Sequence, residues 1–364
     1  MALSALLAVC LICSHPGPAL LLSDFATCLE QNGIRTKVLS GDVAYETLVK
    51  GGRKTDPFPD NQSHSDLKEL AQKVARAASS SKCVIIDVGH PLSTRVLRIL
   101  STDFPDIIRV AFYDNGQSLV EGGYSELTAP ALRLSQIILF ANKNLEDAPI
   151  YSAKDQPIDL SHQRRIGIGS SSLPSEMPRL KKLKETQSPE NRAAFLAKLA
   201  IPDRGQKIVV YLGGANEVYE KEAFPHFLNL LNEIDQDGIT FVLQPHPRGK
   251  KPNLEGTKLL YSTADFDLAL LAADQLFYHQ TSANLKFLLL GTPTSQIGAK
   301  KETNDLLVAG GFIESLTTKE ELLRALGKSH HPIDPETETR AYAAFGIDPN
   351  WEEVLLKTVR PLLK

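Results

Sequence analysis

Gln244-Pro245-His246-Pro247-Arg248-Gly249 follows directly on the apolar run Ile239-Thr240-Phe241-Val242-Leu243. A short β-branched and aromatic run closed by two prolines reads as a buried strand that stops pairing there, because proline has no N–H to give to a ladder. In open α/β sheets, ligands bind beyond the carboxyl ends of the strands. The spacing therefore delivers His246 and Arg248, with Gln244 beside them, to the place where an anion would be gripped.

Working outward, the same grammar recurs on both sides. Lys207–Leu212 reads as a buried strand followed by Gly213-Gly214, and a helix is expected over Phe224–Ile234. Further strands are predicted at Thr240–Leu243, Lys258–Leu260, Gln275–Tyr278 and Thr294–Ile297. Gln275–Tyr278 ends in His279-Gln280-Thr281-Ser282 and a helix running to Leu290, with Gly291 as its stop. The first half has the same alternation. Strands are expected at Leu6–Ile12, Thr36–Leu39, Cys83–Val88, Ile108–Phe112 and Gln136–Ala141, and helices at Ala19–Gln31, Leu67–Ala78, Ser93–Leu100 and Glu126–Leu134. Two successive strand-helix runs predict an α/β protein of two Rossmann-like, doubly wound domains facing a cleft. The boundaries read 1–160 for the first domain, 161–204 for linker helices, 205–335 for the second domain, and 336–364 for terminal helices that pack back across the hinge.

Composition narrows the function classes. A chain of 364 residues with a net charge of −3 has room for two domains and no polyanion-binding signature, which excludes nucleic acid as the main partner. The four cysteines, Cys10, Cys13, Cys28 and Cys83, read as reduced, buried thiols of a cytoplasmic protein. The apolar start, Met1–Cys13, has no basic residue before its core, so a first strand suits it better than a secretory signal. The basic run Arg179–Lys184 reads as a solvated helix, with peripheral membrane contact as the other use of its charge.

The candidate site residues come from strand ends. Gly213 and Gly214 let backbone approach a phosphate closely; Thr281, Ser282 and Asn284 stand at a helix start, where hydroxyls and free amides attract anions. No Gly-x-Gly-x-x-Gly opens the first helix and no Gly-Lys-Ser follows a glycine-rich loop, so neither a nicotinamide cofactor nor ATP hydrolysis is expected. In the first half, acid-base chemistry has Asp114, in Tyr113-Asp114-Asn115-Gly116, and His15, in Ser14-His15-Pro16-Gly17, as rival bases, with Glu121 third.

The His-Pro pair after a second-domain strand, Gln280-Thr281-Ser282 before Leu288-Leu289-Leu290-Gly291-Thr292-Pro293-Thr294, and Tyr113-Asp114-Asn115-Gly116 together resemble glycosyltransferases of the two-Rossmann-domain GT-B fold. In motifs the likeness is greatest to bacterial sialyltransferases, polysialyltransferases and capsular transferases. The resemblance implies an inverting, metal-independent glycosyltransferase that moves a sugar from a CMP-, UDP- or other nucleotide-linked donor to a glycan or small acceptor. The nucleotide sugar would be substrate, and no separate cofactor is implied. It assigns Asp114 as base, His246 as phosphate ligand and donor to the leaving group, and Thr281 with Ser282 as phosphate ligands. A likeness to the N-terminal His turn of natural-product glycosyltransferases favours His15 instead. Asn115 stands where the sialyltransferase motif has a second acidic residue, and Lys286 stands where many UDP-sugar transferases carry a ribose-binding Glu. A nucleotide-sugar 2-epimerase and a noncatalytic binding protein share the same fold and are the alternatives.

Overall fold

The computed structural model describes residues 8–14, 16–58, 63–78, 82–116, 123–152, 156–214, 218–235, 237–246, 249–281, 283–298 and 305–363. The chain divides into two compact units, Met1–Ser172 with Phe345–Lys364, and Leu173–Ala344.

The first unit is built on strands β1 (Ala8–Cys13), β2 (Arg35–Ser40), β3 (Asp56–Pro57), β4 (Cys83–Asp87), β5 (Ile108–Tyr113), β6 (Ile137–Phe140) and β7 (Arg164–Gly167). They pair in parallel in the order β3-β2-β1-β4-β5-β6-β7. Such a sheet must be covered on both faces, which is why β4 is buried along its whole length and reads Cys-Val-Ile-Ile-Asp without alternation. One face packs on Leu22, Phe25, Leu48 and Trp351; the other packs on Leu67, Val74, Val96 and Leu132. All four cysteines are buried thiols, and burial pushes Cys10 and Cys83 up to about 12, as expected for inert core groups.

The second unit carries β8 (Lys207–Leu212), β9 (Ile239–Gln244), β10 (Leu259–Tyr261), β11 (Gln275–Tyr278), β12 (Thr294–Ile297) and β13 (Ser315–Leu316). These are also parallel, in the order β10-β9-β8-β11-β12-β13. Its core centres on Tyr211, whose ring stacks on Phe227 at 4.1 Å. In each sheet the first strand has later strands on both sides, so the winding reverses between β1 and β4 and between β8 and β11. Those are the two points at which a doubly wound sheet opens a crevice at its carboxyl edge.

Several segments are placed by tertiary contacts rather than local pattern. The stretch 161–204, read as linker, gives β7 to the first sheet and the helices Leu173–Thr186 and Ser188–Lys198 to the second unit. The terminal segment 336–364 divides: Pro335–Ala344 lies in the second unit, whereas Trp351 packs against Phe25 at 5.5 Å in the first. Within the basic run, Lys181 meets Glu338 at 2.6 Å and Arg179 meets Asp267 at 3.9 Å. Lys184 turns inward, donating to the Ala273 carbonyl and the Thr292 hydroxyl at 3.0 Å each. Three of the four cations read as a surface patch are thus committed to partners inside their own unit. Among the described residues, no helix is long and apolar enough to cross a membrane.

Candidate functional site

In the second unit, three strand ends converge around the switch point. Gly213 follows β8, and its N–H donates to the Gln244 carbonyl at 2.9 Å, sealing the β8 loop to the end of β9. A Cβ on Gly213 would stand 3.0 Å from the His246 backbone nitrogen, and one on Gly249 would stand 2.8 Å from the Gly214 carbonyl. The two loops touch backbone to backbone, which only glycine permits. The half-buried His246 is held at their junction, and its carbonyl accepts from the Gly249 N–H at 2.9 Å.

On the other side of β8, β11 ends in His279 and Thr281. His279 is buried; its Nδ1 donates to the Ile297 carbonyl at 3.1 Å, and its own carbonyl accepts from Gln296 Nε2 at 2.8 Å. The half-buried Thr281 hydroxyl accepts from the Ala283 N–H at 3.2 Å, a local cap of the turn. The helix that follows, Asn284–Leu289, is only six residues long.

Two residues read as phosphate ligands have their side chains engaged inside the unit. Gln244 Nε2 donates to the Ala264 carbonyl at 3.1 Å. Asn284 Nδ2 donates to Asp305 Oδ2 at 3.3 Å, in a buried polar cluster with Tyr278. Burial raises the Asp305 carboxyl above its ordinary range, against the pull of the Val308 and Leu307 N–H groups that it accepts. The reason is the partner: Asp305 arrives 21 residues after Asn284 and turns the amide inward. Lys286 forms a 2.6 Å ion pair with Glu176. Arg248 and Ser282 lie outside the described residues, as do His15 and Glu121 of the first unit.

In the first unit, Asp114 leaves the end of β5 half-buried, and a Cβ on Gly17 would stand 3.7 Å from its Oδ2. The carboxylate therefore lies against the start of the helix Pro16–Gln31, which follows β1. The loop beyond it is pinned by Asn142, whose Nδ2 donates to the Gly116 carbonyl at 2.7 Å. At the end of β4, the strand between β1 and β5, stands a residue that is not among the sequence candidates. His90 caps the helix Pro91–Asp103 through Nδ1, which accepts from the Leu92 N–H at 3.2 Å. An accepting Nδ1 places the ring proton on Nε2, so His90 can donate from its far side. Its signal was present in Gly89-His90-Pro91: a histidine at a strand end, with proline at the helix start. The nearby Asp87 is fully buried and structural, accepting from the Ser14 N–H at 2.7 Å and the Ser93 hydroxyl at 3.1 Å.

The sequence matches no family model and no curated protein. The structure matches solved ones along nearly its whole length. A UDP-GlcNAc 2-epimerase from Neisseria meningitidis, bound to UDP-GlcNAc, superposes with a TM-score of 0.66 at 14% identity over 97% of this chain and 100% of that one. The fold is GT-B. The UDP-GlcNAc 2-epimerase of Methanocaldococcus jannaschii gives 0.64 at 14% identity, covering 97% and 99% of the two chains. A glycosyltransferase from Rickettsia africae ESF-5 gives 0.60 at 10% identity, covering 98% and 99% of the two chains. These likenesses correct the motif-based expectation. What is shared is the GT-B fold, without a tie to sialyltransferases or capsular transferases. With 2-epimerases recurring among the neighbours, transfer to an acceptor gives way to the epimerase alternative.

Proposed function

We propose that this chain is a nucleotide-sugar 2-epimerase acting on a UDP-linked 2-acetamido sugar. The observation that carries this is the end-to-end likeness to a 2-epimerase bound to UDP-GlcNAc. The local chemistry supports it. Inverting the carbon that bears the acetamido group requires breaking and remaking its C–H bond, and a hydrogen beside an acetal carbon is not acidic. Loss of that hydrogen together with the C1–O bond to the nucleotide balances the step: a C1=C2 double bond forms and the nucleotide leaves with the electron pair. Return of nucleotide to C1 and of a proton to the opposite face of C2 completes the inversion. Such a cycle needs a base, an acid and a phosphate grip, but no acceptor site.

In this reading Asp114 is the base and His90, donating from Nε2, is the acid. In the second unit, His246 and the backbone of Gly213 and Gly214 grip the diphosphate, with Thr281 beside them. The test is proton NMR of UDP-GlcNAc with the enzyme in deuterium oxide and no acceptor. Conversion to the C2 epimer with deuterium at C2 is expected. Asp114→Asn should slow that exchange by about 100-fold or more, leaving UDP affinity within twofold. His246→Ala should weaken UDP binding about tenfold, the loss of one charge-assisted or strong neutral hydrogen bond. Binding of UDP without exchange at C2 would make the chain a noncatalytic nucleotide binder and refute the epimerase reading.

A further inference from the structure

At the amino-terminal edge of the second sheet, under the starts of β11 and β12, the unit has a half-open cavity of about 430 Å³. It lies between the helices Leu173–Thr186, Ser188–Lys198 and Phe266–Ala272 and the segment 330–333. With about 3.3 Å per residue, the four residues of β11 put it roughly 10 Å from the loop bearing Thr281, so it is a separate place from the nucleotide grip. Its size falls within the range of small-molecule sites.

The charge on its wall is unbalanced at one position. Arg192 is matched by Asp203 and Asp274 at 3.0 Å each, and Lys181 by Glu338 at 2.6 Å. Asp274 also accepts from the Ile208 N–H at 2.8 Å, and Glu185, the other carboxylate on the wall, is exposed. Lys184 meets only neutral acceptors, the Ala273 carbonyl and the Thr292 hydroxyl, and no carboxylate of the described residues lies within 4 Å of it. An ammonium has three N–H donors, and these two bonds leave one. A half-buried cation with no carboxylate in contact, its nearest counter-charge Asp274 being shared with Arg192, is further stabilised by an anion in the cavity beside it. The rest of the wall includes the polar Ser188 and His330 and the apolar Leu271, Leu289, Pro332 and Ile333. With Lys181, Arg192 and His330 engaged by Glu338, by Asp203 and Asp274, and by the Leu290 carbonyl, one remaining ammonium donor beside apolar side chains suits a carboxylate on a hydrocarbon body better than a phosphate, whose three oxygens call for several donors.

We propose that this cavity binds a small organic carboxylate, its carboxylate on the Lys184 ammonium and its apolar body against Leu271, Leu289 and Ile333. The proposal is independent of the epimerase reading. Benzoate and hexanoate serve as probes, inorganic phosphate as comparator, with calorimetry and thermal shift on the full chain and a crystal soaked in 4-bromobenzoate. Both carboxylates should bind saturably, raise the melting temperature as ligands of the native state do, and outcompete phosphate. The bromine should appear as an anomalous peak within the cavity. Lys184→Gln, which keeps a hydrogen bond, and Ile333→Asp, a change at the half-exposed rim, should each weaken benzoate at least tenfold. Far-ultraviolet circular dichroism and a cooperative urea transition matching wild type show that both variants are folded. No saturable binding of either carboxylate by the wild type, affinity unchanged in both variants, phosphate bound as tightly as benzoate, or bromine elsewhere would each overturn the proposal.

Discussion

Replacing Lys184 by Met should change how stability varies with pH, in a direction and by an amount that follow from its burial. Burial pulls the ammonium down from its ordinary 10.5 to about 8, with Asp274 pulling weakly the other way. Between those two values the unfolded chain holds a proton that the folded chain has lost, so this group makes stability rise with pH across that window. At about 1.4 kcal/mol for each pH unit, the rise is about 3 kcal/mol. The wild-type curve alone would hide it. Cys10, Cys28 and Cys83 are pushed up to about 12, 11 and 12, and buried tyrosines such as Tyr219 are raised too; these groups ionise first in the unfolded chain and lower stability over the same range. They are common to both proteins and cancel in the difference. Losing the bonds to Ala273 and Thr292 costs the variant about 1–3 kcal/mol at every pH, which moves the difference curve without tilting it. Urea unfolding followed by far-ultraviolet circular dichroism, from pH 7.5 to 10.5, should show wild type gaining about 3 kcal/mol on Lys184→Met. Fluorescence of Trp351, the single tryptophan, reports the first unit. A difference that stays flat across the window would refute the burial argument.

Three further outcomes are expected. Gly213→Ala drives a methyl to 3.0 Å from the His246 nitrogen, so UDP affinity measured by calorimetry should fall about tenfold, the equivalent of about 1.4 kcal/mol. Asn142→Ala unpairs the Gly116 carbonyl and the Asn144 N–H; it should lower stability by about 1–3 kcal/mol and kcat for C2 exchange, while UDP binding stays at the wild-type value. Thr318→Ala dismantles the capping box that Thr318 and Glu321 make at the helix Lys319–Leu326. It should cost about 1 kcal/mol in urea unfolding and leave UDP affinity unchanged.

How far the site could be read beforehand depended on where each residue's partners lie. The position of His246 at a strand end was legible because the prolines around it end the strand locally, and the end of a parallel strand is where ligands bind. The strand-end position of Asp114 was legible for the same reason, as the first polar residue after Ile108–Tyr113. Asn284 looked equally available, yet its amide is taken by Asp305 from a later loop. His90 did not stand out because nothing nearby in sequence says that β4 lies between β1 and β5. The basic run suffered the same limitation: charge spacing shows a cationic helix, but not that Lys181 and Lys184 turn toward Glu338, Ala273 and Thr292.

What the sequence determined by itself was the alternation of buried strands and covering helices, the α/β class, and the strand ends at which polar residues are presented. Those follow from proline, glycine and apolar runs acting within a few residues. The order β3-β2-β1-β4-β5-β6-β7, the split of 161–204 and 336–364 between units, and the cavity beneath β11 were decided only by tertiary structure. Parallel neighbours are joined by long crossovers, so which strands pair, and which side chains then share a space, is settled by packing between segments far apart in the chain.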